Sequence, residues 1–114
     1  MLSAADVLCV TLALNEQTRG LLNHARLALT KPGVILVNTA RAAIVDTDAL
    51  VALLRSGHVR HAAIDVFAQE PPTSDDPLLT LENVTLTAHA GFMTPEATMR
   101  MLRVAIDLAI AVDA

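Results

Sequence analysis

The run Val34-Ile35-Leu36-Val37, followed directly by Asn38-Thr39-Ala40-Arg41, decides how this chain is read. A short aliphatic run rich in β-branched residues is too brief for a helix of ordinary length and matches a buried strand. Lys31-Pro32-Gly33 just before it is turn chemistry, since proline fixes its own φ and glycine tolerates a positive one. The spacing predicts a central strand, buried on both faces, with a polar segment leaving its C-terminal end.

The same alternation continues on either side. Val7 to Leu12 reads as a strand, and Gln17 to Leu29 holds a shorter, interrupted helical stretch. Downstream, Asp46 is placed to cap a helix whose Ala49, Leu50, Leu53 and Leu54 make one apolar face, with Gly57 as its stop. Ala62 to Phe67 is the third strand, Pro71 to Pro77 a surface loop, and Val84 to Ala88 the fourth strand. Thr94 and Pro95 open the last helix as N-cap and first-turn residue. This order predicts an α/β fold, a parallel sheet with flanking helices. Right-handed crossovers then bring the C-terminal ends of the strands to one edge, where ligands bind in open α/β sheets.

The bulk properties exclude several classes. A chain of 114 residues is one domain at most. With 54% hydrophobic but only 2% aromatic residues, its core must be built from Ala, Val, Leu and Ile. A net charge of -4 without any Lys/Arg run argues against nucleic acid or an anionic membrane surface as partner. No basic leader precedes the apolar start, and no apolar run approaches the roughly 18 residues of a membrane span. A cytoplasmic location is expected. The four glycines, Gly20, Gly33, Gly57 and Gly91, include no pair two apart, so these residues hold no G-x-G-x-x-G phosphate-binding turn.

Several residues read as structural. Cys9, within Val7-Leu8-Cys9-Val10, is expected to be a buried small hydrophobe. His24, His58 and His61 are read as solvent-facing and lack metal-ligand spacing, so no metal site is expected. Asp75-Asp76 reads as a solvated loop pair, and Met93, Met99 and Met101 as packing side chains. From Met99 to Val112 only Arg100, Arg103 and Asp107 are polar, on a single stripe. A helix so apolar expects burial on several sides.

Chemistry collects at the strand ends. The second strand leads into Arg41, the third through Asp65 and Phe67 to Glu70-Pro71, and the fourth into His89-Ala90-Gly91. Alone, Arg41 and Glu70 would pass for surface residues and His89 for a satisfied sheet-edge histidine; together they suit a carbonyl/alcohol redox site. Arginine presents a fork that grips a substrate carboxylate and polarises the adjacent carbonyl. Histidine exchanges a proton with the carbonyl oxygen near neutrality, and a glutamate beside it favours the imidazolium and orients the ring. Asp65, inside an apolar strand, is costly to bury unless paired, so it is expected to be hydrogen-bonded.

These three segments, Asn38-Thr39-Ala40-Arg41, Asp65-Val66-Phe67 with Glu70-Pro71, and Thr87-Ala88-His89-Ala90-Gly91, resemble the ordered signatures of the D-isomer-specific 2-hydroxyacid dehydrogenases. The likeness runs from Ala5-Asp6-Val7 through Thr18-Arg19-Gly20-Leu21-Leu22 to the final helix. It implies a partial Rossmann-type NAD(P)-binding domain that uses NAD or NADP and a small 2-keto or 2-hydroxy acid, in an enzyme that is a homodimer when intact. By motif position it makes Arg41 the carboxylate-binding arginine, His89 the acid/base and Glu70 its partner. It places Leu12, Thr39, Ala40, Arg41, Asp65, His89, Ala90 and Gly91 near the nicotinamide end of the cofactor.

Departures bear on the substrate. Ala42-Ala43 stands where the family often has Gly-Gly, Thr11 and Ala13 replace a frequent His and Pro, and Ala88 replaces a usual proline. Gly91-Phe92-Met93-Thr94 resembles a subgroup with an aromatic after the glycine. The resemblance covers residues 1–114 as the C-terminal part of the cofactor domain and the helix leading out of it. The glycine-rich turn and most of the substrate lobe are absent, as expected of a truncated product or a piece of a longer chain. A second reading, a non-catalytic dehydrogenase-like scaffolding or corepressor-type protein, is motivated by the missing phosphate turn and the apolar last helix.

Overall fold

The computed structural model describes residues 2–112. Four parallel strands, β1 (Val7–Val10), β2 (Val34–Asn38), β3 (Val59–Ile64) and β4 (Val84–Leu86), form one sheet in the order β1-β2-β3-β4. Three α-helices accompany them: α1 (His24–Leu27), α2 (Thr47–Arg55) and α3 (Pro95–Val112). The α/β class and the parallel sheet are as the alternation predicts.

The register shows which face is covered. Leu8, Leu36, Ala62 and Val84 form one cross-strand row, and Val10, Asn38, Ile64 and Leu86 the next on the same face. All but Asn38 pack with Leu27 of α1 and Leu50 and Leu54 of α2 in a single core. Burying a side chain such as Leu36 stabilises the fold by about 1.5–3 kcal/mol. The intervening row, Cys9, Val37, Ala63 and Thr85, is exposed or half-buried.

Two expectations are therefore corrected. β2 is buried on one face only, Val34, Leu36 and Asn38 alternating with half-buried Ile35 and Val37. Cys9 is exposed. The reason is topological: parallel strands in consecutive order, joined by crossovers of one hand, place every connecting helix on the same side.

The local signals are confirmed at the caps. Asp46 Oδ1 accepts the Ala49 N–H at 3.1 Å, and Thr94 Oγ1 accepts that of Ala97 at 3.1 Å. Gly57, at φ +77°, ends the α2 turn by donating its N–H to Leu54 C=O.

Element bounds differ where pairing decides them. β1 stops at Val10 because its partner β2 ends opposite, at Asn38, so Thr11 and Leu12 have no ladder to continue. β3 starts at Val59 and stops at Ile64, and β4 ends at Leu86. The stretch before α1 is a turn, because Gly20, at φ +60°, and Leu22 donate their N–H groups to Ala43 and Ile44 C=O rather than to a helical ladder.

Some side chains also differ from expectation. His58 and His61 are half-buried and hydrogen-bonded, Nε2 of each to the hydroxyl of Thr30 and Thr85 respectively, whereas His24 is exposed. Asp76 caps a 3₁₀ turn over Pro77–Thr80 through the Leu78 N–H. Met93, Met99 and Met101 are exposed rather than packed, and α3 buries none of its residues. Among the described residues no helix is long and apolar enough to cross a membrane.

Candidate active site

Two buried polar side chains, Asn38 and Asp65, anchor the segments that leave β2 and β3. At the end of β2, Asn38 is 2% exposed; its Oδ1 accepts the Ala40 N–H at 3.1 Å and its Nδ2 donates to Arg41 C=O at 3.2 Å. One amide thus shapes the turn that presents Arg41, whose side chain is at the surface and donates from Nη1 to Ala40 C=O at 2.6 Å.

Just past β3 lies Asp65, 4% exposed. Its Oδ1 accepts the Thr87 hydroxyl and the Ala90 N–H, the latter at 2.9 Å, and its Oδ2 accepts the Gly91 N–H at 2.9 Å. The expected pairing of this carboxylate is found. Burial pushes its pKa upward, but the donors from Thr87, Gly91 and Ala90 outweigh it, and the group is held below the ordinary aspartate value. Gly91 permits the close approach: a Cβ there would stand 3.0 Å from Asp65 Oδ2.

Beyond β4, His89 adopts φ +52°, the left-handed region, which turns the chain sharply as it leaves the sheet. Its Nδ1 lies 2.8 Å from Glu70 Oε2, both side chains being about one-third exposed or slightly more. Glu70 Oε1 accepts the Phe67 N–H at 3.0 Å. The hydrogen bond from His89 lowers the Glu70 pKa most, followed by that from Phe67, with slight burial opposing and the charges of His89 and Arg41 assisting.

The trio lines adjoining hollows along the C-terminal edge. One part, about 400 Å³, is walled by Thr39, Arg41, Asp65, His89, Gly91 and Phe92. A neighbouring groove of about 560 Å³ shares Thr39 and Arg41 and reaches Leu12 and Ala40. A smaller hollow of about 230 Å³ is lined by Phe67, Glu70, Pro71 and His89. The structure therefore brings together Arg41, Glu70 and His89, with Leu12, Thr39, Ala40, Asp65 and Gly91 along the same walls; Ala90 contributes its N–H to the Asp65 carboxylate.

Three contributors are not evident from residue type and order. Thr87 donates its hydroxyl to Asp65 from the neighbouring strand end, Asn38 bonds the backbone of its own turn, and Phe92 lies edge-on to the His89 ring, centroids 6.1 Å apart at 88°. The available signal is that a buried Asp or Asn at a strand end needs hydrogen-bond partners.

Fold and site together define a Rossmann-like α/β domain with a polar, arginine- and histidine-bearing crevice at the C-terminal edge of its parallel sheet. The chain belongs to the D-isomer specific 2-hydroxyacid dehydrogenase family: the model of that family's NAD binding domain matches residues 1–91. Glyoxylate/hydroxypyruvate reductase B of Yersinia pestis (strain Pestoides F) is 43% identical over 107 residues, 94% of this chain and 33% of the reductase.

A glyoxylate reductase from Paecilomyes thermophila superposes with a TM-score of 0.85 at 39% identity, covering 93% of this chain and 32% of that one. The D-isomer specific 2-hydroxyacid dehydrogenase from Xanthobacter autotrophicus Py2, solved with NADPH and MES, gives 0.75 at 43% identity, covering 77% and 28%. The chain thus spans about a third of the length of these relatives.

Proposed function

We propose that this chain supplies the nicotinamide and substrate side of an NAD(P)-dependent 2-hydroxyacid dehydrogenase, one that interconverts a 2-keto acid and its D-2-hydroxy acid. We assign residues 1–114 to the C-terminal part of the cofactor domain, the glycine-rich turn and most of the substrate lobe lying outside them. The observation that carries the reading is the His89–Glu70 pair at 2.8 Å, beside the crevice that Arg41 lines.

The residues present fit one half of a dinucleotide. Short side chains at Thr39, Ala40 and Gly91 line the hollows at the strand ends, while no glycine-rich phosphate cradle exists among the residues present. Leu12, Thr39, Ala40, Arg41, Asp65, His89, Ala90 and Gly91 are the proposed neighbours of the nicotinamide end. When bound, the cofactor supplies the hydride that reduces the C2 carbonyl carbon.

Arg41 grips the substrate carboxylate through its guanidinium fork and polarises the neighbouring carbonyl. His89 gives a proton to the carbonyl oxygen and takes it back in the oxidative direction. Glu70 occupies Nδ1, which leaves Nε2 as the nitrogen that exchanges the proton. Homodimer assembly of the intact enzyme is proposed on the family resemblance alone.

The test joins this segment to a relative's glycine-rich half and substrate lobe, then assays 2-keto acids with NADH and NADPH. The named relatives make glyoxylate and hydroxypyruvate the first substrates to try. His89→Ala is expected to lower kcat by about 10²–10⁴-fold while the cofactor Kd stays constant. Undiminished turnover removes His89 from the mechanism.

A further inference from the structure

We infer that Thr87 is a positioning residue for His89, acting through the Asp65 carboxylate to hold the turn that presents the imidazole. This rests on the dehydrogenase reading for its catalytic meaning, though its structural content does not. His89 occupies the left-handed region without being glycine, so its conformation has to be held by neighbouring contacts. On the backbone side those contacts include Asp65, which accepts the N–H groups of Ala90 and Gly91, the two residues that follow. A carboxylate can grip two successive amides only while its plane is fixed.

Thr87 supplies a further donor. Its N–H bonds to Ile64 C=O at 3.0 Å, extending the β3–β4 ladder by one rung and setting Thr87 beside Asp65. From there its hydroxyl reaches Asp65 Oδ1, the same oxygen that holds Ala90. The threonine is an exposed residue whose hydroxyl nonetheless turns toward the buried carboxylate. It is not among the residues walling the hollows beside His89, and its side-chain contact there is with Asp65.

The decisive pair of variants is Thr87→Val, close in volume but without the hydroxyl, and Thr87→Ser, which keeps it. In the chain itself, NMR reads the exchange rates of the Ala90 and Gly91 amides and the imidazole ¹⁵N shifts of His89, which report its tautomer. Thr87→Val is expected to speed both amides by about tenfold and to mix the His89 tautomers, with Leu36 and Val59 amides unchanged; Thr87→Ser is expected to restore the original values. Should the valine variant fail to fold, Thr87→Ala removes the same hydroxyl and is read identically.

Unaltered amide protection and tautomer in the hydroxyl-free variant overturn the proposal, as does equal loosening in Thr87→Ser, which would assign the effect to the methyl group. In the joined enzyme, Thr87→Val is expected to lower kcat by at least about tenfold with the KM for cofactor constant. If His89→Ala proves silent there, the dehydrogenase reading fails while the NMR result still decides the positioning role.

Discussion

His89 Nδ1 and Glu70 Oε2 stand 2.8 Å apart although 19 positions separate the two residues, and the same carboxylate is anchored by the Phe67 amide on its other oxygen. The imidazole is thus oriented by a group that is itself held, which confines Nε2 as the free nitrogen. This is the arrangement proton exchange with a substrate oxygen requires.

Acid should weaken the fold through Asp65 and Glu70. Both carboxyl pKa values lie below their ordinary values, Asp65 despite burial because of its three donors, and Glu70 chiefly through the hydrogen bond from His89. The unfolded chain then binds protons more readily, so their stabilising contribution is complete above the ordinary carboxylate range. It is lost as pH falls through the lower folded values. Tm followed by circular dichroism should decline across that acid window, with a shallower slope in Asp65→Asn. Equal slopes in the two proteins would exclude Asp65 as a source.

Arg41→Lys, in the joined enzyme, is expected to raise the KM for 2-keto acids by about 10- to 100-fold. An ammonium keeps the charge but loses the two parallel hydrogen bonds of the fork. Steady-state kinetics with glyoxylate measures this, and a KM within twofold of the parent value rejects the carboxylate-gripping role.

NADH should bind the 114-residue chain weakly, with Kd above the micromolar range. Pyrophosphate recognition draws on a glycine-rich turn at a helix N-terminus, and the four glycines provide none. Isothermal titration calorimetry settles it; micromolar affinity would show that the Leu12–Arg41 groove and the His89 crevice suffice without that turn.

Much of this was readable in the chain because it is local. Asp46, Gly57 and Thr94 act on backbone groups a few residues away, so their types announce helix caps and stops. The order of Arg41, Glu70 and His89 after successive strands was enough to gather them at one edge, since parallel strands share a direction. Where pairing decided, the sequence was silent: Thr11 and Leu12 look like strand but lack a partner, and β3 begins at Val59 because β2 lies opposite.

By itself, then, the sequence determined the alternation of strands and helices, the side of the sheet on which the polar groups assemble, and the absence of a phosphate turn from these residues. Tertiary structure alone decided which face of β2 is covered, why Cys9 is exposed, and that Thr87 and Asp65 jointly brace the His89 turn. Those properties depend on which strands become neighbours and which side receives the helices. Side chains that meet across a sheet are distant along the chain, and no local preference encodes their meeting.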